Sequence, residues 1–437
     1  MQIFDTAFCI VAVLLYLTAK KGNGHVLIIR IMKKYILGAS LFLSSLSSFG
    51  AGYQINLEGL RQVAMGGTGT AWPWDASTIF YNPGGLARLK NIQLYVGASV
   101  IMPSTGYSNG AVTATSVKQT FTPVNFYVGG PIREGSPWAV GLGVYTPYGT
   151  GLQWDNNWIG RYMVRSSQLS CFFVQPTVSY RVGQFLSVGA GFVYANGTLD
   201  MTQALPVQNI LGSDADSKLH GAGSGVGFNL GVQMKFSDEL QMGLTYRSQV
   251  NLNIDGGSAH FNVPSSLVSS FPNTSFGTTL PLPQVASFGI GIRPTEFLTI
   301  QFDLNYTGWN SLDTLAVNFS QHTSALKDLH APRMYRNTLT PRLGMCFKIC
   351  KELSLMGGAA YDPTPVTDGF VSPDLPDADR IVLTCGAAIK PLPRFTILAA
   401  FEGTTSVKRN GMYNYGNFAG TYQTTAATPG LAVYYNF

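Results

Sequence analysis

Leu298-Thr299-Ile300-Gln301-Phe302-Asp303-Leu304-Asn305-Tyr306 alternates without a break, apolar at every even position and polar at every odd one. Successive side chains of an extended chain point to opposite faces, so this stretch has one apolar side and one polar side. Phe172, Val174, Pro176, Val178 and Tyr180 repeat the pattern against Cys171, Phe173, Gln175, Thr177, Ser179 and Arg181. Leu343, Met345, Phe347 and Ile349 repeat it against Arg342, Gly344, Cys346 and Lys348. These are strands, and no apolar run past Leu89 approaches the roughly 20 residues of a membrane-spanning helix.

A soluble sandwich alternates too, so the connections decide between architectures. Short turns fall at Pro131 to Ser136, Val182 to Gln184, Ser237 to Glu239, Pro294 to Glu296, Cys350 to Glu352 and Pro391 to Arg394. Long polar segments fall between them, near 146–167, 201–217, 257–283, 311–334, 362–378 and 405–425. Short turns at one rim and long loops at the other describe a transmembrane β-barrel, with the short turns on the periplasmic side. The expected fold is all-β, a 14-stranded antiparallel barrel spanning residues 91–437.

Composition agrees. Only 11% of the residues are charged, against about a quarter in ordinary soluble proteins, so much of the surface faces something other than water. Phe185, Phe236, Phe297 and Phe395 beside the short turns, and Tyr145, Tyr306, Trp309 and Tyr361 near the long loops, are placed as two interfacial girdles. The chain ends with Leu431, Val433, Tyr435 and Phe437 on one face, an ending suited to recognition by the outer-membrane barrel assembly machinery through Phe437.

Met32-Lys33-Lys34, the apolar run from Tyr35 to Leu46 and the small Ser47, Ser48 and Gly50 form the three regions of a secretory signal, residues 32–50. Residues 1–31 read as an over-called start, with a longer signal or an anchor as the alternative. Discounting residues 1–50 leaves 23 basic against 21 acidic residues, so the formal +6 falls to about +2. With no basic cluster interleaved with aromatics, nucleic acid is excluded as a partner.

Residues 51–90 do not read as strand. Gly66-Gly67-Thr68-Gly69-Thr70-Ala71 and Asp75-Ala76-Ser77-Thr78-Ile79-Phe80-Tyr81-Asn82-Pro83-Gly84-Gly85-Leu86 are rich in small residues and turn formers. A 14-stranded barrel encloses a lumen that its own side chains do not fill. This segment is the one available to plug it.

At this point the chain resembles the outer-membrane long-chain fatty acid and hydrocarbon transporters, the FadL and TodX family. The likeness rests on Ala51-Gly52-Tyr53-Gln54-Ile55-Asn56, on the segment ending Asn82-Pro83-Gly84, on Trp158-Ile159-Gly160-Arg161-Tyr162, on Leu280-Pro281-Leu282-Pro283, and on Leu375-Pro376-Asp377-Ala378-Asp379-Arg380. The family's usual Asn-Pro-Ala is Asn-Pro-Gly here. Val193-Tyr194-Ala195 is followed by Asn196 where some fatty acid transporters carry a basic residue, which weakens the case for a carboxylate ligand.

The resemblance implies a hydrophobic small-molecule ligand captured by extracellular loops, bound beside the plug and released through a gap in the wall into outer-membrane lipid. It implies a bacterial outer-membrane location, a single-chain transporter and no cofactor. Asp75, Asn82, Pro83 and Gly84 are the gating candidates. Leu205, Ile210, Leu211, Phe261, Leu267 and Phe271 are apolar for exposed segments and read either as a capture surface or as self-packed loops. Pro137, Gly141 and Gly143 are candidates for a break in the third strand, or for ordinary barrel curvature. Arg336 and Arg342 share the inward parity of the tenth strand and would grip a ligand carboxylate or pair with the plug at Glu58 or Asp75.

Two other classes compete. A general porin has no need of an amino-terminal plug. An outer-membrane lipid-processing enzyme is suggested by Gly256-Gly257-Ser258-Ala259-His260, which lacks the last glycine and the strand-turn-helix setting of a nucleophile elbow. Cys346 and Cys350 lie about 13 Å apart on an extended strand, too far for a disulfide, and no metal site is expected.

Overall fold

The computed structural model describes residues 52–208 and 212–437. The signal segment, the start and the candidates Ile210 and Leu211 lie outside the described residues. Fourteen antiparallel strands close a barrel. They are β1 (Gln93–Ser99, Met102–Ser108), β2 (Thr113–Thr115, Val124–Pro131), β3 (Trp138–Gln153), β4 (Ser166–Val182), β5 (Leu186–Gln208), β6 (Asp214–Lys235) and β7 (Leu240–Arg247, Val250–Asn262). They continue as β8 (Thr274–Leu282, Val285–Thr295), β9 (Leu298–Thr307, Thr314–Phe319), β10 (Leu329–Pro332, Thr338–Lys348), β11 (Leu353–Asp362), β12 (Arg380–Leu392), β13 (Phe395–Ser406) and β14 (Phe418–Asn436). Closure is made by β1 against β14, from Gln93 opposite Asn436 to Ser99 opposite Gly430, and it abolishes the exposed edges that an open sheet would have in lipid.

The period-two reading carries over to the wall. Phe172, Val178, Phe302, Leu343 and Phe347 face outward and are exposed, while Gln175, Gln301, Asp303 and Arg342 are buried inside. Phe185, Phe236 and Phe297 stand exposed beside the short turns as a girdle does. The opposite girdle is partly different from expectation, because Tyr145 and Trp309 point inward and are buried in the lumen.

Two segments read as loops are strand. The β5 and β6 ladder continues from Leu186 opposite Met234 to Leu205 opposite Ala215, and β7 follows it to Asn262 opposite Asp216. The 23 residues of β5 span roughly 75 Å at 3.3 Å each, so this hairpin stands well clear of a ~25 Å apolar band. Pro206, Gly212 and Asp214 gave it the composition of a loop; cross-strand pairing of the backbone overrode it.

Inside the barrel lie α1 (Leu60–Ala64), α2 (Thr78–Tyr81) and a 3-10 turn at Pro83–Arg88. Gly66 and Gly67, at φ 70° and 80°, end α1 in the left-handed region that favours glycine. Asp75 starts α2, its Oδ1 accepting from the Ser77 amide at 3.1 Å and its carbonyl from the Thr78 amide at 3.0 Å. Leu57, Leu60, Val63, Met65, Ile79, Phe80 and Leu86 are buried against inward residues of the wall, so the hydrophobic core of this protein is the interface between segment and barrel.

Candidate functional site: the plugged lumen

The foot of the segment is fastened by Asn82. Its Oδ1 accepts from the Gly84 amide at 3.1 Å, and its Nδ2 donates to Thr70 O at 2.7 Å and, across to β6, to Val232 O at 3.0 Å. One side chain thus ties the turn to itself, to the strand wall and to the preceding loop. Pro83 and Gly84 press on Gly189 and Gly231 of the facing strands, where an added Cβ would overlap Pro83 or Asn82. A Cβ on Gly84 would lie 2.8 Å from Gly231 O and 3.0 Å from Ser187 O. The departure from Asn-Pro-Ala is therefore steric: the backbone sits too close to the wall for a methyl group.

The middle is held by inward polar groups. Asp303 Oδ2 accepts from the Gly69 and Thr70 amides at 2.8 and 2.9 Å. Thr384 Oγ1 accepts from the Gly66 amide at 2.9 Å and donates to Ala64 O at 3.1 Å. Arg342 Nη1 donates to Gly66 O at 3.3 Å, and Arg247 Nη2 to Phe80 O at 3.0 Å with its guanidinium 3.8 Å over the Phe80 ring. Gln175, Asn229, Asn125 and Tyr127 donate to further carbonyls of the segment. These bonds satisfy backbone groups of an irregular segment that has few of its own, as burial at membrane depth requires.

The upper end is held where the β2–β3 ladder ends. The β2–β3 ladder runs from Pro131 opposite Ala139 to Phe126 opposite Val144 and stops. Above it β3 bulges between Tyr145 and Tyr148. The edge that β2 leaves open is taken by the segment itself: Ile55 donates to Pro147 O at 3.1 Å and Gly149 to Tyr53 O at 2.9 Å. Tyr53 also donates from its hydroxyl to Pro281 O and packs edge-on to Trp309 at 4.8 Å. The Gly52 amide donates to Asp377 Oδ2 at 3.0 Å while Arg380 donates to Gly52 O at 2.9 Å.

Buried charge is concentrated beside the segment. Asp75 is fully buried, with Arg61 Nε 3.9 Å from its Oδ2, and burial pushes its carboxyl up while Arg61 and Ser77 oppose the shift. Glu58 is 0 % exposed, neither of its carboxylate oxygens has a hydrogen-bond partner, and burial pushes it up to about 7 against the pull of Arg247 and Arg342.

Several candidates are relocated. Gly141 and Gly143 are paired on both sides, to Gly129 and Thr177 and to Tyr127 and Gln175, and Pro137 precedes the strand, so none of the three breaks the wall. The break lies farther along, at Thr146-Pro147, because the ring of Pro147 withholds a ladder donor in mid-strand. Arg336 lies in the loop before β10 resumes at Thr338, and its charged neighbours are Arg409, Asp379 and Asp368. Arg342 reaches the plug through the Gly66 carbonyl rather than through Glu58 or Asp75. Asn196 lies opposite exposed Phe172, so its side chain faces outward and says nothing about a lumenal carboxylate.

Among the apolar candidates, Leu205 is half-buried on β5, and Phe261 packs at 6.0 Å on Phe271 and 6.1 Å on Phe319 over a core of Leu199, Ile254, Phe276 and Val317. Leu267, in a 3-10 turn at Ser265–Leu267, is half-buried. The extracellular hairpins thus carry their own small core. Ser258 lies on β7 and its hydroxyl donates to His220 O at 3.4 Å; His220 Nδ1 is 2.6 Å from Asp200 Oδ1. Among the described residues no three His, Cys, Asp or Glu side chains group as metal ligands.

The sequence matches the family described as outer membrane protein transport protein (OMPP1/FadL/TodX) over residues 41–437. The chain belongs to that family. It is 24% identical over 428 residues to the long-chain fatty acid transport protein of Escherichia coli O6:H1, covering 88% of this chain and 91% of that one. In fold it is similar to a Pseudomonas aeruginosa FadL homologue, with TM-score 0.77, 19% identity and coverage of 89% of this chain and all of that one. It is also similar to the Ralstonia pickettii toluene transporter TbuX, with TM-score 0.68, 19% identity and coverage of 87% and 99%. Like other members of this outer-membrane family, it spans the bilayer as a barrel.

Four of the five segments that carried the resemblance converge in space, all but the one ending Asn82-Pro83-Gly84. Gly52 and Tyr53 meet Asp377, Arg380 and Pro281. Trp158 stacks on Trp154 at 4.4 Å, and Trp154 Nε1 donates to Pro373 O at 3.1 Å, joining the third segment to the neighbourhood of the fifth. Sequence reasoning missed Tyr53, Tyr127, Arg247, Asn229 and Asp303 as the plug's fasteners. For the wall residues the signal was the inward parity of polar side chains along a strand, already legible for Asp303, while Tyr53 lies on the plug itself and has no such signal.

Proposed function

We propose that this protein takes hydrophobic small molecules from the exterior and passes them into the outer membrane through the seam between β2 and β3. Residues 52–90 act as a hatch, with Asn82, Pro83 and Gly84 as its fixed foot and Tyr53–Ile55 as its movable upper end. The observation that carries the reading is that the amino-terminal segment, rather than a strand, occupies the β3 edge at Pro147–Gly149. Withdrawing three residues would open that edge without disturbing the ladders on either side. The half-buried Phe261 and Phe271, packed on the extracellular core, supply a first surface for an apolar ligand. The exposed terminal strand ending at Phe437 is the element offered to the assembly machinery.

Liposome swelling tests the reading. Intact protein should not admit hydrophilic sugars, while apolar ligand should co-purify in gentle detergent and be identified by mass spectrometry. Ready sugar permeation through the intact protein would make it a porin.

A further inference from the structure

The short-turn rim of the barrel is not charged evenly. Lys348 and Lys351 lie where β10 turns into β11, Lys390 and Arg394 where β12 turns into β13, Lys90 where the plug hands over to β1, and Arg133 between β2 and β3. These four places are neighbours around the wall, because β11 pairs with β12, β13 with β14, β14 with β1 and β1 with β2. All six side chains are exposed, and among the described residues none has a hydrogen-bond or ion-pair partner. The negative charges along the same arc are Glu134, Glu352 and the carboxylate of Phe437, so the arc is positive.

On the rest of the rim the basic residues are engaged. Lys235 pairs with Asp238 in its own turn, the Arg293 guanidinium lies 4.3 Å over Trp72 of the plug, and Arg181 Nη2 donates to Gly135 O at 3.1 Å. With Asp238, Glu239 and Glu296 beside them, they leave that arc no positive surplus.

Each of the basic places also carries an exposed apolar residue: Leu392, Ile349, Ile132 and Ile92 are 62, 57, 55 and 41 % exposed. A soluble acidic partner gives no reason for these side chains; a bilayer surface does. They continue the girdle of Phe185, Phe236 and Phe297, where apolar groups reach the acyl boundary and long basic side chains carry their charge to the level of the phosphates. The short turns face the periplasm, so the lipid is that of the periplasmic leaflet. Unpaired lysine and arginine clustered at a membrane surface attract anionic lipid.

We propose that the arc from the β10–β11 turn to the β2–β3 turn binds anionic glycerophospholipids of the periplasmic leaflet through their phosphate groups.

The test purifies the full processed chain from bilayers of equal parts phosphatidylglycerol and phosphatidylcholine and counts the lipid retained in mild detergent by native mass spectrometry. Retained phosphatidylglycerol should exceed phosphatidylcholine about tenfold, the scale of one or two basic side chains at a membrane surface. The quadruple variant Lys348→Gln, Lys351→Gln, Lys390→Gln, Arg394→Gln should retain the two lipids equally, whereas Lys235→Gln, Arg293→Gln on the other arc should keep the preference. Heat-modifiable migration on gels checks that each barrel is folded. Equal retention by the folded wild-type protein overturns the inference, as does a folded quadruple variant that keeps the preference. Inorganic phosphate should displace no more lipid than chloride does at the same ionic strength; a larger displacement makes the arc a site for free phosphate and overturns the inference too.

Discussion

The two ends of the plug are built differently. The foot at Asn82–Arg88 is in steric contact with β5 and β6 on faces where glycine is required, and Asn82 alone bonds to three separate parts of the molecule. The upper end at Gly52–Ile55 lies along one strand edge through two backbone bonds, with the Tyr53 hydroxyl and the Gly52 amide and carbonyl as its other ties. A close-packed contact cannot be shifted by a fraction of an ångström without a clash, whereas a short β-pairing is exchanged for water or ligand at small net cost. On the proposed reading, this difference fixes the plug at its foot and lets it release at the seam.

Removing the whole segment, residues 52–90, erases the contrast and carries the largest effect. The deleted barrel should still assemble, because its ladders close without the plug, and should conduct hydrophilic sugars in liposome swelling. A deleted barrel that stays sealed means that something else fills the lumen.

Asp303→Ala comes next, since it strips two charge-assisted amide bonds from the middle of the plug and leaves both donors buried. We expect a loss of about 2–4 kcal/mol in thermal or denaturant unfolding of the assembled protein. Gly231→Ala attacks the foot by overpacking against Asn82, with an expected cost of about 1–3 kcal/mol. Tyr53→Phe removes one hydroxyl bond from the upper end and should cost about 1 kcal/mol or less, yet it should raise the rate of ligand passage, which Gly231→Ala should not. Equal effects of these two substitutions on passage would erase the proposed difference between foot and tip.

Glu58 gives the smallest and most gradual effect. Burial raises its carboxyl from 4.5 to about 7, so the native state holds the proton more tightly than the unfolded chain does. Its contribution to stability is complete below pH 4.5 and is lost as pH rises through about 7. Seating of the plug, followed as unfolding midpoint against pH, should weaken across that window, and Glu58→Gln should flatten the dependence.

Much of the wall was legible because a barrel strand in lipid has only two faces, each with one solvent. Residues 298–306 announced their inside and outside by parity alone, and the alternation of short and long connections set the strand count. The same logic misread 201–217, where Pro206 and Gly212 looked like loop yet lie at the end of a paired hairpin. It also misread Tyr145 and Trp309, because an aromatic ring suits a membrane interface and a lumen equally well. Local composition cannot tell these apart; only the partner across the ladder can.

By itself, the sequence determined the barrel, its orientation and the existence of a plug, since parity, connection length and an irregular segment after a signal are local properties. Tertiary structure alone decided where the β2–β3 ladder stops and what the lumen presents. The seam at Thr146-Pro147 exists because β2 stops pairing and residues 53–55 take its place, which depends on the meeting of segments about 90 residues apart. The cavity of about 30 Å³ between plug and wall exists because Tyr81, Arg247, Asp303 and Asn305 converge from the plug and two strands. No stretch of chain contains that neighbourhood, and so none could announce it.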